Sequence, residues 1–143
     1  MKLKNYTEID GKWLRQMVAA VKPSNVSKFD ISFKNCGWGH RGRAYTGGCS
    51  YHSSSAPLVI VSLSKKVRYP YHGTNRGAYL GVVMYSMREA ALAITAHELR
   101  HLWQAKVKTG WRVWGAKGQF SERDADAYSL QMVRRYRRGE LDC

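Results

Sequence analysis

The chain has 143 residues, of which 44% are hydrophobic, and a formal net charge of +14. This length and composition suit one folded domain spanning residues 1–143 and exclude wholesale disorder, and no apolar run reaches the roughly 18 residues that a transmembrane helix needs. We therefore expect no membrane partner, and because no secretory signal is visible we expect a cytoplasmic protein or a mature form whose leader was removed.

The first half of the chain combines one helical pattern with several short strand patterns. Thr7 begins the helical pattern, with Asp10 as its capping-box partner three residues later, and Pro23 ends it. Alternating or branched apolar residues then predict four strands, at residues 29–33, 43–46, 57–64 and 78–85. The loops between them are rich in glycine, serine and basic residues.

The second half of the chain changes to helical spacing. Ser86 is a good N-cap, and Glu89 completes a capping box for a helix that we place at 87–107. Ser121 begins a second capped helix, which ends at Gly139. The predicted fold class is α+β: an N-terminal helix, a small twisted and mostly antiparallel sheet, and two further helices at the C-terminal end.

The three cysteines, Cys36, Cys49 and Cys143, form no CxxC motif, which excludes a thiolate zinc ribbon. An odd number of cysteines also argues against a disulfide scaffold. Cys36 and Cys49 either face each other across a hairpin or are free thiols.

The stretch HELRH, which begins at His97, lies in the middle of the first C-terminal helix. Its two histidines, His97 and His101, are about 40° apart around the helix axis and one turn apart along it. Two imidazoles so placed can bind one tetrahedral Zn²⁺, and Glu98 beside them can take a proton from a water on the metal as that water attacks a carbonyl. The alternative is a solvated helix face that carries two ordinary histidines.

A catalytic zinc site needs a third protein ligand, and no histidine follows His101. Glu122 lies in the first turn of the next predicted helix and is the ligand that we favour. Asp124 is its competitor, although the two side chains are about 160° apart around the helix. Asp126 shares the face of Glu122 and could accept the second ring N–H of a ligating histidine. Each of these acids could instead only offset the helix dipole.

The combination of HELRH with ERDAD, which begins at Glu122, resembles the HExxH…ExxAD pattern of the gluzincin zinc metallopeptidases. The short gap between the motifs is most similar to that of the minimal single-domain members, the minigluzincins. The resemblance implies a zincin-like domain in which His97, His101 and Glu122 bind one catalytic Zn²⁺. It also implies that Glu98 is the general base and acid, and that Asp126 orients a ligating histidine.

The resemblance has two further implications. In this family an edge strand of the sheet holds peptide substrate in an extended form by main-chain hydrogen bonds, and here that strand is either the one at 45–51 or the one at 57–64. Larger gluzincins also supply a side chain to the oxyanion. The candidates for that role in this sequence are Tyr128, His72 and Arg123.

Positive charge is concentrated between Ile31 and Arg88, where the sequence contains no Asp or Glu. Segments such as KKVRYPYHG and GWGHRGRAY interleave the basic residues with aromatic ones, which can stack on bases while Lys and Arg contact phosphates. An acidic partner or a nucleic acid could therefore bind the 31–88 region. The alternative is that this region is only a solvated basic surface.

Two functions follow from these features. The first is a zinc-dependent endopeptidase, in which metal-activated water attacks a peptide or protein substrate with a glutamate as general base. The second is a basic nucleic-acid-binding protein whose zinc is structural or absent. The two are compatible in a peptidase that acts near nucleic acid.

Overall fold

The computed structural model of the chain describes residues 1–45, 56–73, 81–107 and 119–143. The elements within those residues are, in chain order, β1 (Leu3–Asn5), α1 (Gly11–Val21), β2 (Asp30–Asn35), β3 (Arg41–Tyr45), β4 (Leu58–Leu63), β5 (Tyr71–His72), β6 (Val83–Met84), α2 (Met87–Lys106) and α3 (Gln119–Arg137). The predicted α+β class is thereby confirmed. None of the described helices is both long enough and apolar enough to cross a membrane.

Four strands form a mixed sheet in the order β1-β2-β4-β3. β2 is parallel to both β1 and β4, and only β3 runs antiparallel to its neighbour, β4. We expected mostly antiparallel pairing. β1 and β2 are parallel because α1 connects them as a crossover, which returns the chain in the same direction. β4 is parallel to β2 because the chain reverses twice, once into β3 and once into β4. β5 and β6 pair separately as a two-stranded antiparallel sheet.

β3 forms one edge of the four-stranded sheet, and this position decides between the two predicted substrate strands. The strand predicted at 57–64 is β4, which lies between β2 and β3 and is therefore not an edge strand. The strand predicted at 45–51 lies outside the described residues except for Tyr45, the last residue of β3. Among the described residues of the two candidate regions, only Tyr45 lies on an edge strand of the sheet.

α1 begins later than predicted, at Gly11. Its N-cap is Asp10, whose carboxylate accepts a hydrogen bond from Trp13 N at 2.7 Å. The Thr7 hydroxyl donates instead to Asn5 Oδ1 at 2.7 Å, so Thr7 belongs to the turn that precedes the helix. α1 ends at Val21 because the next residue precedes Pro23 and adopts an extended conformation.

The boundaries of α2 agree closely with the prediction. Ser86 is its N-cap and accepts a hydrogen bond from Glu89 N at 3.1 Å, which confirms the predicted start. The helix ends at Lys106, and Val107 is its C-cap. α2 is buried along most of its length because it packs against α1, α3 and the sheet.

α3 begins at Gln119, two residues before the predicted start at Ser121. It ends at Arg137, and Gly139 is the glycine that stops it, as the sequence predicted. Gly139 has a φ of 68°, and its N–H bonds the Tyr136 carbonyl at 3.0 Å, while Glu140 N–H bonds the carbonyl of Arg135 at 2.9 Å. These bonds form a Schellman cap, which a glycine in the left-handed region favours.

The helices pack on one face of the four-stranded sheet. Alternate residues of β2 and β4, including Ile31, Phe33 and Val61, are buried in the same apolar cluster as residues of all three helices. The Ser129 hydroxyl joins α3 to α2 by donating to the Ala93 carbonyl at 2.7 Å. The domain therefore has two layers, and the opposite face of the sheet bears no described helix.

Some predictions fall on parts of the chain that the structure does not describe. Cys49 is among them, so the alternative of a Cys36–Cys49 pair stays a prediction. Of the strand predicted at 78–85, residues 78–80 also lie outside the described part, and the strand observed in the remainder is β6.

Candidate metal centre

Three of the predicted site residues meet between α2 and α3. The Nε2 atoms of His97 and His101 are 3.0 Å apart. Glu122 lies across both rings, with Oε2 3.2 Å from His97 Nε2 and Oε1 3.2 Å from His101 Nε2. Each of the three residues offers one ligand atom, and these atoms lie within 4.8 Å of one another.

The spacing and the donor types of this cluster fit a zinc ion. With metal–ligand distances of about 2.0–2.1 Å, the ligand atoms of a tetrahedral site are about 3.4 Å apart, which is close to the observed 3.0–3.2 Å. Two imidazole nitrogens and one carboxylate are also a donor set that catalytic zinc uses. In addition, Glu122 Oε2 is buried, and its hydrogen bond with His97 Nε2, 3.2 Å long, is too poorly directed to satisfy the oxygen fully. A cation at the centre would satisfy that oxygen.

The charge state of Glu122 suits the role of a ligand. Burial opposes ionisation of its carboxyl group, but hydrogen bonds with His101 and His97 outweigh burial and lower the pKa of Glu122 to about 2. The side chain is therefore a carboxylate at neutral pH and needs no deprotonation before it can bind a cation.

His97 is held from its other nitrogen by Asp126. The ring is 1% exposed, and His97 Nδ1 lies 3.0 Å from Asp126 Oδ1. Because an ionised carboxylate only accepts hydrogen bonds, Nδ1 carries the hydrogen and Nε2 faces the cluster. Burial lowers the pKa of His97, but hydrogen bonds with Asp126 and Glu122, together with the charge of Glu98, raise it to about 9. The contact between His97 and Asp126 is the one that the sequence predicted.

His101 is held by Gln104 and Ser121, which the sequence analysis missed. His101 Nδ1 is 2.8 Å from Gln104 Oε1, and the Ser121 hydroxyl donates to the same amide oxygen at 2.7 Å. Gln104 Nε2 in turn donates to the Ser121 carbonyl at 2.9 Å and to Asp124 at 2.9 Å. The spacing could have indicated this partner, because His97, His101 and Gln104 follow one another at four and three residues along one helix face.

Asp124, the competing candidate for the third ligand, is engaged elsewhere. Arg100 Nε donates to Asp124 Oδ2 at 2.7 Å, and Arg100 Nη2 donates to Oδ1 at 3.1 Å. Burial opposes ionisation of Asp124, but the hydrogen bonds from Arg100 and Gln104 lower its pKa. Asp124 therefore links α3 to α2 beside the cluster, and Glu122 is the acid that contacts the Nε2 atoms of both imidazoles.

Glu98 lies on the side of α2 that faces β3. Its side chain is 4% exposed and packs against Gly42, the second residue of β3. A Cβ atom on Gly42 would lie 2.6 Å from Glu98 Cγ and 2.6 Å from Ile94 Cγ2, which is closer than atoms can approach without a shift. The glycine thus allows the edge strand to pass directly over the glutamate.

The three candidates for an oxyanion-stabilising group do not contact the cluster. The Tyr128 hydroxyl donates to the Val21 carbonyl at 2.8 Å and so joins α3 to the end of α1. His72 and Arg123 are exposed, and neither forms an ion pair or hydrogen bond with the cluster within the described parts of the chain. The assignment of this role stays a prediction.

Comparisons of the chain with protein-family models, with curated proteins and with solved structures gave no match. The resemblance to gluzincins therefore depends on the two motifs and on their spacing in the sequence. The geometry of His97, His101, Glu122 and Asp126 is an independent observation, because contacts between α2 and α3 are not contained in either motif alone.

Proposed function

We propose that the chain is a zinc-dependent endopeptidase of the gluzincin type that hydrolyses bonds in peptide or protein substrates. The observation that carries this proposal is the convergence of His97, His101 and Glu122, whose ligand atoms lie within 4.8 Å of one another. Three side chains would hold the ion, and a fourth position would stay open to water and substrate, as catalytic zinc requires. A nucleic-acid-binding protein without catalytic zinc would need none of these contacts.

The partners of the ligands would keep the site organised. Asp126 and Gln104 fix the outer nitrogens of the two histidines, so both Nε2 atoms face the same point before any ion arrives. When bound there, Zn²⁺ would polarise the substrate carbonyl and lower the pKa of a water molecule. This arrangement favours hydrolysis over a purely structural role, because three protein ligands converge among the described residues, one fewer than a closed structural site uses.

Glu98 would move the proton in the reaction. Its carboxylate would accept a proton as the water oxygen bonds to the scissile carbonyl carbon, and would donate that proton to the nitrogen as the carbon–nitrogen bond breaks. The products are then a free carboxylate and a free amine. Burial beneath β3 supports this role, since it restricts the carboxylate to one side of the histidine pair.

The outer edge of β3, with which no described strand pairs, would bind the substrate. An extended peptide can add to a sheet edge through main-chain hydrogen bonds, with its side chains pointing alternately toward and away from the protein. Because Gly42 brings β3 close to Glu98, a peptide on this edge would lie near the proton acceptor. Recognition through the main chain would give broad sequence tolerance.

The proposal is tested by replacing Glu98 with glutamine. We expect Glu98→Gln to bind zinc as the parent does, while hydrolysis of an unfolded protein falls by about 10²- to 10⁴-fold through loss of the proton acceptor. Glu140→Gln is the matched control, because Glu140 is an exposed residue near the C-terminus, and it should cleave at the parent rate. Equal cleavage by Glu98→Gln and the parent would show that Glu98 is not the general base.

A further inference from the structure

The face of the four-stranded sheet opposite the helices bears an ordered set of basic side chains. Successive residues of a strand point to opposite faces of the sheet. The residues that alternate with the buried core residues therefore point away from the helices. The register aligns one outward residue from each strand in a row that crosses the whole sheet. That row is Lys4, Ser32, Ile60 and Arg43.

We call this surface the basic sheet face, and it has a strong excess of positive charge. Its basic residues are Lys2, Lys4, Lys34, Arg41 and Arg43. The one acid among its lining residues is Asp30. None of the five basic residues forms an ion pair with a carboxylate in the described parts of the chain. Their charge is therefore not neutralised within the protein.

The charges border a shallow groove whose floor is small or aliphatic. Two adjoining depressions share Lys34 and Ile60 and together extend across all four strands. Lys2 and Lys4, which is in β1, lie along one border, and Arg41 and Arg43 of β3 lie along the other. At the centre of the floor is Ser32, which is 6% exposed and whose hydroxyl has no hydrogen-bond partner among the described residues.

Two tyrosines lie at the borders of the groove. Tyr6, which follows β1, is 61% exposed, and Tyr45, at the end of β3, is half-buried. Aromatic rings beside cationic side chains are the features with which proteins bind single strands, because bases stack on the rings and phosphates contact the cations. A duplex offers no unstacked base to such rings, and an acidic polypeptide offers carboxylates but no bases.

We propose that the basic sheet face binds single-stranded nucleic acid. The phosphates contact the lysines and arginines of the two borders, and the bases lie over the floor and stack on Tyr6 and Tyr45. The surface is on the opposite side of the sheet from Glu98 and the metal centre, so a bound strand leaves that centre accessible. This inference does not depend on the proposed peptidase activity.

The test uses the whole chain and a fluorescently labelled single-stranded oligonucleotide of mixed sequence. Fluorescence anisotropy measures its affinity for the parent and for the triple variant K2A/K4A/K34A, whose three lysines line the groove outside β3, as the salt concentration is varied. The matched control is K12A/R15A/R134A, which removes the same charge from exposed positions on α1 and α3. Circular dichroism checks that both variants keep the parent fold.

We expect the groove variant to bind at least about tenfold more weakly than the control, and the slope of log affinity against log salt to fall by about 2, as the loss of three phosphate contacts requires. Tyr6→Ser should weaken binding of the single strand by about fivefold or more. Zinc content and peptide hydrolysis should be unchanged in all of these variants, which separates this inference from the proposed function.

Three results would overturn the assignment. If the groove variant and the control lose affinity for the oligonucleotide equally, the overall charge of +14, rather than this face, attracts it. Displacement of the oligonucleotide by polyglutamate of equal charge as readily as by unlabelled single strand would identify a surface for acidic polypeptides. Tighter binding of a duplex than of the single strand would exclude base stacking as the basis of recognition.

Discussion

Replacement of Gly42 by alanine tests the contact between β3 and α2. The added Cβ would lie 2.6 Å from Glu98 Cγ and from Ile94 Cγ2, whereas carbons in contact are about 3.5–4.0 Å apart, so one element must move by about 1 Å. β3 is paired with β4 along its length, and Ile94 is fully buried, so neither can move freely. Overpacking of this kind costs about 1–3 kcal/mol, which for a chain of this length lowers the melting temperature by about 3–10 °C.

Gly11→Ala is the matched control for the Gly42→Ala variant. A Cβ on Gly11, the first residue of α1, would meet nothing within 4 Å, so this change should be neutral or slightly stabilising. Thermal unfolding followed by circular dichroism measures both variants, and hydrolysis of an unfolded protein measures the displacement of Glu98. We expect Gly42→Ala to lose activity as well as stability, because a shift of about 1 Å can lower a rate by about 10²-fold. If Gly42→Ala melts and cleaves as the parent does, β3 does not pack on Glu98 as described.

Three further predictions concern the partners of the histidines. Asp126→Asn removes the charge beside His97, and competition with a chelator should reveal zinc affinity about 10- to 100-fold lower than in the parent; an unchanged affinity would contradict the orienting role of Asp126. Gln104→Ala leaves His101 without its amide partner and should destabilise the fold by about 1–3 kcal/mol in chemical denaturation, whereas an unaltered midpoint would mean that water replaces the amide. In chelator-treated protein, the pKa of His97 is raised from 6.5 to about 9. Protonation of His97 therefore stabilises the fold fully below pH 6.5, and this stabilisation, of about 3 kcal/mol, is lost as the pH rises through 9. Denaturation at pH 6.5 and 9.5 should therefore show that the free energy of unfolding falls more between these pH values in the parent than in Asp126→Asn. Equal losses of unfolding free energy would refute the raised pKa of His97.

The parts of the site that the sequence predicted are those set by local rules. Ser86 caps α2 by accepting a hydrogen bond from Glu89 N, but the Glu89 carboxylate accepts from Tyr85 N and does not complete the predicted capping box with Ser86 N. The spacing of His97 and His101 follows from the helix itself. To predict the position of Glu122, it was necessary to assume only that α3 returns alongside α2. The contact of Gln104 with His101 is also local and could have been predicted from the spacing, whereas the bonds of Gln104 with Ser121 and Asp124 depend on where α3 lies against α2.

Strand pairing was harder to predict from the sequence than the positions of the helices. The apolar pattern of 57–64 predicted β4 to within one residue at each end, but no periodicity indicates that β4 pairs in parallel with β2. The chain reverses direction into β3 and again into β4, and β4 then lies between β2 and β3, a placement that depends on tertiary contacts. The start of α1 was misplaced for a local reason: Thr7 and Asp10 are both good caps, and the hydroxyl of Thr7 is engaged by Asn5.

Zinc binding by the parent, by Glu122→Ala and by Glu140→Ala tests the metal centre most directly. Chelator competition, with the metal content measured on the same samples, gives both affinity and stoichiometry. If one ion is held by His97, His101 and Glu122, the parent and Glu140→Ala bind one zinc per chain with the same affinity. In Glu122→Ala, zinc affinity then falls by more than the roughly 100-fold expected for loss of a residue, such as Asp126, that only hydrogen-bonds a ligand. Zinc bound by Glu122→Ala as tightly as by the parent, or no zinc bound by the parent, would contradict the centre proposed for this protein.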